Sequence, residues 1–132
     1  MKLHNPSLLI TDDDRDFRET LAGVFRSRGF HTIQAADGEE AVEIVRHERV
    51  HLVLLDMHMP RLTGLETIQR IHELKLSATL PFILISAALD DAIAAEARRQ
   101  NAFSILSKPF RLRDITGLVN RAFAETYGCD AE

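Results

Sequence analysis

Two hydrophobic periods alternate along this chain, and their alternation leaves few folds open to it. Short runs of apolar character occupy Leu8 to Thr11, Leu52 to Leu55 and Phe82 to Ile85, as strands covered on both faces require. Weaker runs lie at His31 to Ala36 and Ala102 to Leu106. In the first of these, Thr32 and Gln34 interrupt the apolar positions, which suits a strand at the edge of a sheet. Between the runs the period becomes helical. Phe17, Leu21, Val24 and Phe25 share one face of a first helix, with Gly29 as its stop. The second opens on Asp37 with Glu40 three residues on, buries Ala41, Val42 and Val45, and places Arg46 and Arg49 in its last turn. The third opens on a Thr63 and Glu66 capping box and buries Leu65, Ile68 and Ile71. The fourth, about Asp90 to Gln100, has little apolar bulk beyond Ile93 and should pack loosely. The fifth, Leu112 to Tyr127, turns Ile115, Leu118, Val119 and Ala122 to one side. Five strands alternating with five helices predict an α/β fold, a doubly wound parallel sheet with helices on both faces.

No repeat, low-complexity stretch or linker interrupts this pattern, so the 132 residues are expected to form one domain with its core from about 7 to 127 and a short polar tail. A chain of that length buries about two thirds of its extended surface. It needs neither a disulfide nor a structural metal to fold, and the single cysteine, Cys129, has no intrachain partner. The N-terminus carries too few apolar residues for a secretory signal or a membrane span, so a cytoplasmic location is expected. The net charge is -4, and Lys and Arg are scattered, which argues against direct nucleic-acid binding.

Ligands of such sheets bind outside the carboxyl ends of the strands. The first strand ends in Asp12, Asp13 and Asp14, the third in Asp56 and the fourth in Ser86, while the fifth is followed by Ser107 and Lys108. Either Asp14 or Asp13 is placed to cap the first helix. Taken as a set, carboxylates converging on one crevice repel one another unless a cation intervenes. A hard, oxygen-seeking cation that keeps waters fits best, which describes Mg²⁺, with Mn²⁺ as a substitute. A carboxylate is also a nucleophile toward phosphoryl groups, in a reaction that needs mainly positioning and charge stabilisation. Lys108 supplies a compact positive charge and Ser86 a hydrogen bond to a phosphoryl oxygen.

The segments LLITDDD, LVLLDMHMPRLTG, ILISA and LSKPF, in this order and separated by these helices, resemble the receiver domains of response regulators. The resemblance runs from Ser7 to about Tyr127. It implies a flavodoxin-like (βα)5 fold with strand order 2-1-3-4-5. It also implies Asp12 and Asp13 as the acidic pair, Asp56 as phosphoacceptor, Ser86 as the hydroxyl switch, Lys108 as the phosphate partner, and His58 as a metal ligand through its backbone carbonyl. A cis bond between Lys108 and Pro109 belongs to the same pattern. The function implied is that of a signalling switch; because the last helix gives out near Tyr127, a stand-alone switch is the leading expectation, with a domain excised from a longer regulator as the alternative. It takes a phosphoryl group from a sensor histidine kinase or phosphotransfer protein in a Mg²⁺-dependent reaction and passes a conformational change to a downstream protein. Such a protein is not an enzyme proper, although it catalyses its own phosphorylation and autodephosphorylation. The fourth helix, fifth strand and fifth helix form its expected docking face, also open to a homodimer.

The chain departs from the family pattern at Ile105, where many members carry Tyr or Phe, so the aromatic partner of the hydroxyl switch is missing. Asn101 stands where Gly is common, and Asn is the next best residue for a left-handed turn. Two readings are open for His58: it overhangs the site and tunes water attack, or it is a solvated loop residue. Met57 and Met59 read as core and loop packing. Two other function classes compete. A phosphohydrolase of the haloacid-dehalogenase type needs a second acid two residues after its nucleophile, and His58 occupies that position. A phosphorylation-independent binding module keeps the fold but does not need all five phosphorylation positions, which are filled here.

Overall fold

The computed structural model describes residues 4–76 and 80–128, so Cys129 and the tail lie outside the described residues. Its elements run β1 Ser7–Thr11, α1 Arg15–Arg26, β2 His31–Ala35, α2 Gly38–His47, β3 Leu52–Asp56, α3 Gly64–Glu73, β4 Phe82–Ser86, α4 Asp91–Arg99, β5 Ser104–Ser107 and α5 Leu112–Tyr127. The strands form one parallel sheet in the order β2-β1-β3-β4-β5, with Leu9 opposite both Ile33 and Val53, Leu55 opposite Leu84, and Ser86 opposite Ser107. The edge position expected for the second strand is therefore correct, and β5 is the other edge.

Successive strand residues point to opposite faces, and here each face has its own core. Leu8, Ile10, Leu52, Leu54, Ile83 and Ile85 pack under α1 and α5 with Leu21, Phe25, Ile115, Val119 and Phe123. Leu9, Val53, Leu55 and Leu84 pack under α2, α3 and α4 with Val42, Ile68, Ile71 and Ala97. This double covering is why the central runs carry no polar alternation.

Helix starts follow the capping residues. The Phe17 N–H donates to Asp14 Oδ1 at 3.2 Å, so Asp14 is the cap, and α1 begins two residues earlier than Phe17. The Glu66 N–H donates to Thr63 Oγ1 at 3.1 Å while the Thr63 N–H donates to Glu66 Oε1 at 2.9 Å, completing the expected box. Gly29 adopts φ 94 after α1, and Asn101 takes the left-handed conformation at φ 61.

Three details differ from the sequence-based expectation. Arg49 lies beyond α2, because Glu48 is already extended and turns the chain toward β3. The fifth strand begins at Ser104, since the Ala102 N–H still donates to Ala97 O to close α4. Leu118 is only partly buried, while Phe123, not foreseen as core, is fully buried against Phe30 at a centroid distance of 5.4 Å. Phe123→Ala should therefore cost about 3–5 kcal/mol, measurable as a lower urea midpoint; a loss within error of zero would contradict this packing.

Candidate functional site

Parallel strands end on a common rim, and this rim gathers the polar residues that the sequence placed at the ends of four of the five strands. Asp12 follows β1 directly, Asp56 and Ser86 are the last residues of β3 and β4, and Lys108 follows β5. Asp12, Asp56 and Ser86 are buried at 2%, 5% and 0% exposure, whereas Asp13 is exposed. One carboxylate oxygen from each of Asp12, Asp13 and Asp56 falls within 4.8 Å of the others. Lys108 Nζ lies 3.6 Å from Asp12 Oδ2 and 3.4 Å from Asp56 Oδ1. The same ammonium sits 4.5 Å above the Phe17 ring, which holds it on the α1 side of the crevice. The Lys108–Pro109 bond is cis.

Three carboxylates facing one ammonium leave an excess of negative charge. Burial raises the Asp56 carboxyl above the usual range, and the neighbouring Asp12 raises it further, with Lys108 opposing both. Burial also raises Asp12, against the hydrogen bond from Asp14 and the charge of Lys108. The Asp14 N–H donates to Asp12 Oδ1 at 2.8 Å, but Asp12 Oδ2 is shielded from water and has no hydrogen-bond partner. A buried acceptor left in this way is costly, and a cation held by the three carboxylates would satisfy it. The acidic triad is able to hold a metal ion, and an all-oxygen donor set fits a hard one.

These shifts fix the pH dependence of stability. A carboxyl whose folded pKa is raised stabilises the fold fully below its unfolded value, near ~4, and that contribution is lost as pH rises through the folded value. The contribution of Asp12 and Asp56 to the stability of the metal-free protein should therefore be lost from pH ~4 upward, whereas Mg²⁺, which binds the ionised form, should stabilise increasingly over the same window. Thermal melts with and without Mg²⁺ should coincide near pH 4 and separate toward pH 8. A separation that stayed constant across this range would contradict the expectation.

His58 is exposed, yet its Nε2 lies 3.3 Å from Ser86 Oγ, so the ring overhangs the rim without being enclosed by it. Ser86 Oγ also accepts from the Ala88 N–H at 3.2 Å. Met59 is buried and Met57 partly so, as packing residues. Ile105 packs half-buried with Ile93 and Ala102 against the α2–α4 core. Two contributors were not foreseen. A Cβ on Gly64 would stand 2.7 Å from the Asp56 carbonyl oxygen and 2.6 Å from Leu84 Cδ1, so glycine lets α3 press against the end of β3. Arg18 Nη1 donates to the Asp12 carbonyl at 2.7 Å. No local pattern marks either contact, because both cross between elements.

The family model of the response regulator receiver domain matches residues 8–120. Sporulation initiation phosphotransferase F of Bacillus subtilis is 33% identical over 117 residues, 89% of this chain and 93% of that protein. Response regulator RR06 of Streptococcus pneumoniae is 31% identical over 121 residues, and there the chain spans only 54% of the relative's length. Among solved structures, the CheX–CheY–BeF₃–Mg²⁺ complex from Borrelia burgdorferi aligns with TM-score 0.81 and 30% identity over 89% of each chain. A Burkholderia pseudomallei response regulator with a phosphorylated aspartic acid, calcium ion and citrate aligns with TM-score 0.79 over 93% of this chain and 71% of that one; at 24% identity it bears on the fold alone.

Proposed function

The chain belongs to the response regulator receiver family of two-component signalling, and from that premise we propose that Asp56 accepts a phosphoryl group from a sensor histidine kinase or phosphotransfer protein. The observation that carries this reading is the buried Asp56 carboxylate, 3.4 Å from Lys108 Nζ and within 4.8 Å of the Asp12 and Asp13 carboxylates. Asp12, Asp13, Asp56 and the His58 backbone carbonyl are the groups assigned to Mg²⁺, which when bound neutralises the charge gathered on the carboxylates and the phosphoryl oxygens. An Asp56 oxygen attacks phosphorus, the bond from phosphorus to the donor's imidazole nitrogen breaks, and that imidazole leaves. Lys108 places its ammonium where the equatorial oxygens carry charge. Ser86, whose Oγ lies 3.3 Å from His58 Nε2, turns its hydroxyl to a phosphoryl oxygen. The chain thus serves as a phospho-accepting receiver domain, assigned to the cytoplasm, which catalyses its own phosphorylation and autodephosphorylation but is not otherwise an enzyme.

The readout follows from the packing around Ile105. Being β-branched, it is stiff at χ1 and cannot signal by a ring flip. Among α4 residues only Ala97 is buried, so α4 is the cheapest neighbour to displace when Ser86 moves. The partner then docks on α4, β5 and α5, a face also open to a homodimer. Hydrogen exchange with and without beryllofluoride and Mg²⁺ tests both parts. Faster or slower exchange from Ala87 to Gln100 is the expected outcome. Unchanged protection there, with Asp56 fully occupied, would refute this readout, and failure of beryllofluoride to bind would favour a phosphorylation-independent binding module.

A further inference from the structure

Asp12 is held at three of its four polar atoms. Its N–H donates to Ala35 O at 3.1 Å, its carbonyl accepts from Arg18 Nη1 at 2.7 Å, and its Oδ1 accepts from the Asp14 N–H at 2.8 Å. Only Oδ2 lacks a hydrogen bond, and it is the oxygen nearest Lys108. The first and third of these contacts come from adjacent backbone. The second comes from a half-buried guanidinium on α1, whose Nε also donates to Gln34 Oε1 on the edge strand at 3.0 Å. Two directed donors from one planar group fix its position as a flexible ammonium could not. Arg18 therefore ties three elements together at Asp12: the turn after β1, the first turns of α1, and β2.

We propose that Arg18 is a positioning residue for the cation site: by clamping the Asp12 carbonyl to Gln34, it holds Asp12 Oδ2 at the angle at which the carboxylate triad takes Mg²⁺. The proposal rests on the Mg²⁺ reading of the crevice. Groups that hydrogen-bond metal ligands orient them, and losing one typically weakens metal affinity about 10–100-fold. Charge and geometry act in opposite directions here. If Arg18 acted only as a nearby positive charge, its removal would tighten Mg²⁺ binding, because a competing cation would be gone. If it acts as a clamp, removal weakens binding.

Calorimetric titration of Mg²⁺ into the folded wild-type chain, Arg18→Met, Arg18→Lys and Gln34→Ala separates these, with metal-free urea midpoints measured in parallel. The clamp gives roughly tenfold weaker binding for Arg18→Met, partial recovery in Arg18→Lys, whose ammonium can still donate to the Asp12 carbonyl, and a smaller loss for Gln34→Ala. Equal or tighter binding by Arg18→Met overturns it. So does a fall in the urea midpoint with unchanged Mg²⁺ affinity, which would make Arg18 merely structural, or an Arg18→Lys variant no better than Arg18→Met. Absence of Mg²⁺ binding by the wild-type chain would instead overturn the reading of the crevice on which the proposal stands.

Discussion

Asp56→Asn should take up no phosphoryl label from acetyl phosphate above background, while keeping its fold. The amide is nearly isosteric with the carboxylate but is not a nucleophile toward phosphorus under these conditions. The substitution has a second signature. Asp56 sits buried with its carboxyl raised by burial and by Asp12, so its ionisation works against the folded state at neutral pH. Replacing it with a neutral group removes that contribution. The metal-free variant should therefore be more stable than wild type near pH 7, and its stability should vary less steeply above pH ~4. Labelling and urea denaturation check the two halves separately. Undiminished labelling would falsify Asp56 as the acceptor, and a metal-free variant less stable than wild type at neutral pH would contradict the electrostatic account of the crevice.

Lys108→Ala should raise Mg²⁺ affinity while slowing phosphoryl transfer. Its ammonium lies within 3.6 Å of Asp12 and 3.4 Å of Asp56, where a cation held by the triad would compete with it. Without Lys108 the carboxylates should bind Mg²⁺ more tightly. Phosphoryl transfer should nevertheless fall about a hundredfold, the scale of losing one donor aimed at transition-state charge. Titration of Mg²⁺ against the initial rate of labelling by acetyl phosphate measures both. Weaker Mg²⁺ binding, or an unchanged rate at saturating Mg²⁺, would remove Lys108 from the role assigned to it.

The order of elements, the parallel sheet and the edge position of β2 were legible because each depends on patterns within a few residues. Unbroken apolar runs belong to strands covered on both faces, and the Thr32 and Gln34 interruptions belong to an edge strand. Helix starts were legible for the same reason: the hydrogen bonds at Asp14, Asp37, Thr63 and Asp90 all close within three residues. Helix and strand ends were less legible. The limit of β5 depends on how α4 closes through Ala102 and on its register with β4, neither of which is written in the fifth strand itself. Phe123 shows the same limit for the core. Its helical position was compatible with burial, but only the approach of Phe30 and Tyr127 encloses it.

The sequence by itself determined which residues could do the chemistry, because a parallel α/β sheet brings the carboxyl ends of its strands to one rim, and the residues there, Asp12, Asp13, Asp56, Ser86 and Lys108, are fixed by their places after apolar runs. Only the tertiary structure decided how those residues are held. The Asp12 Oδ2 that lacks a hydrogen bond, the Arg18 clamp on the Asp12 carbonyl, the His58 ring beside Ser86 and the Gly64 backbone against Asp56 all depend on how separate elements are brought together. The physical reason is that a side chain's chemical type travels with its position in the chain, whereas its distance to a partner, its burial and its proton affinity are set by whatever the folded chain brings against it.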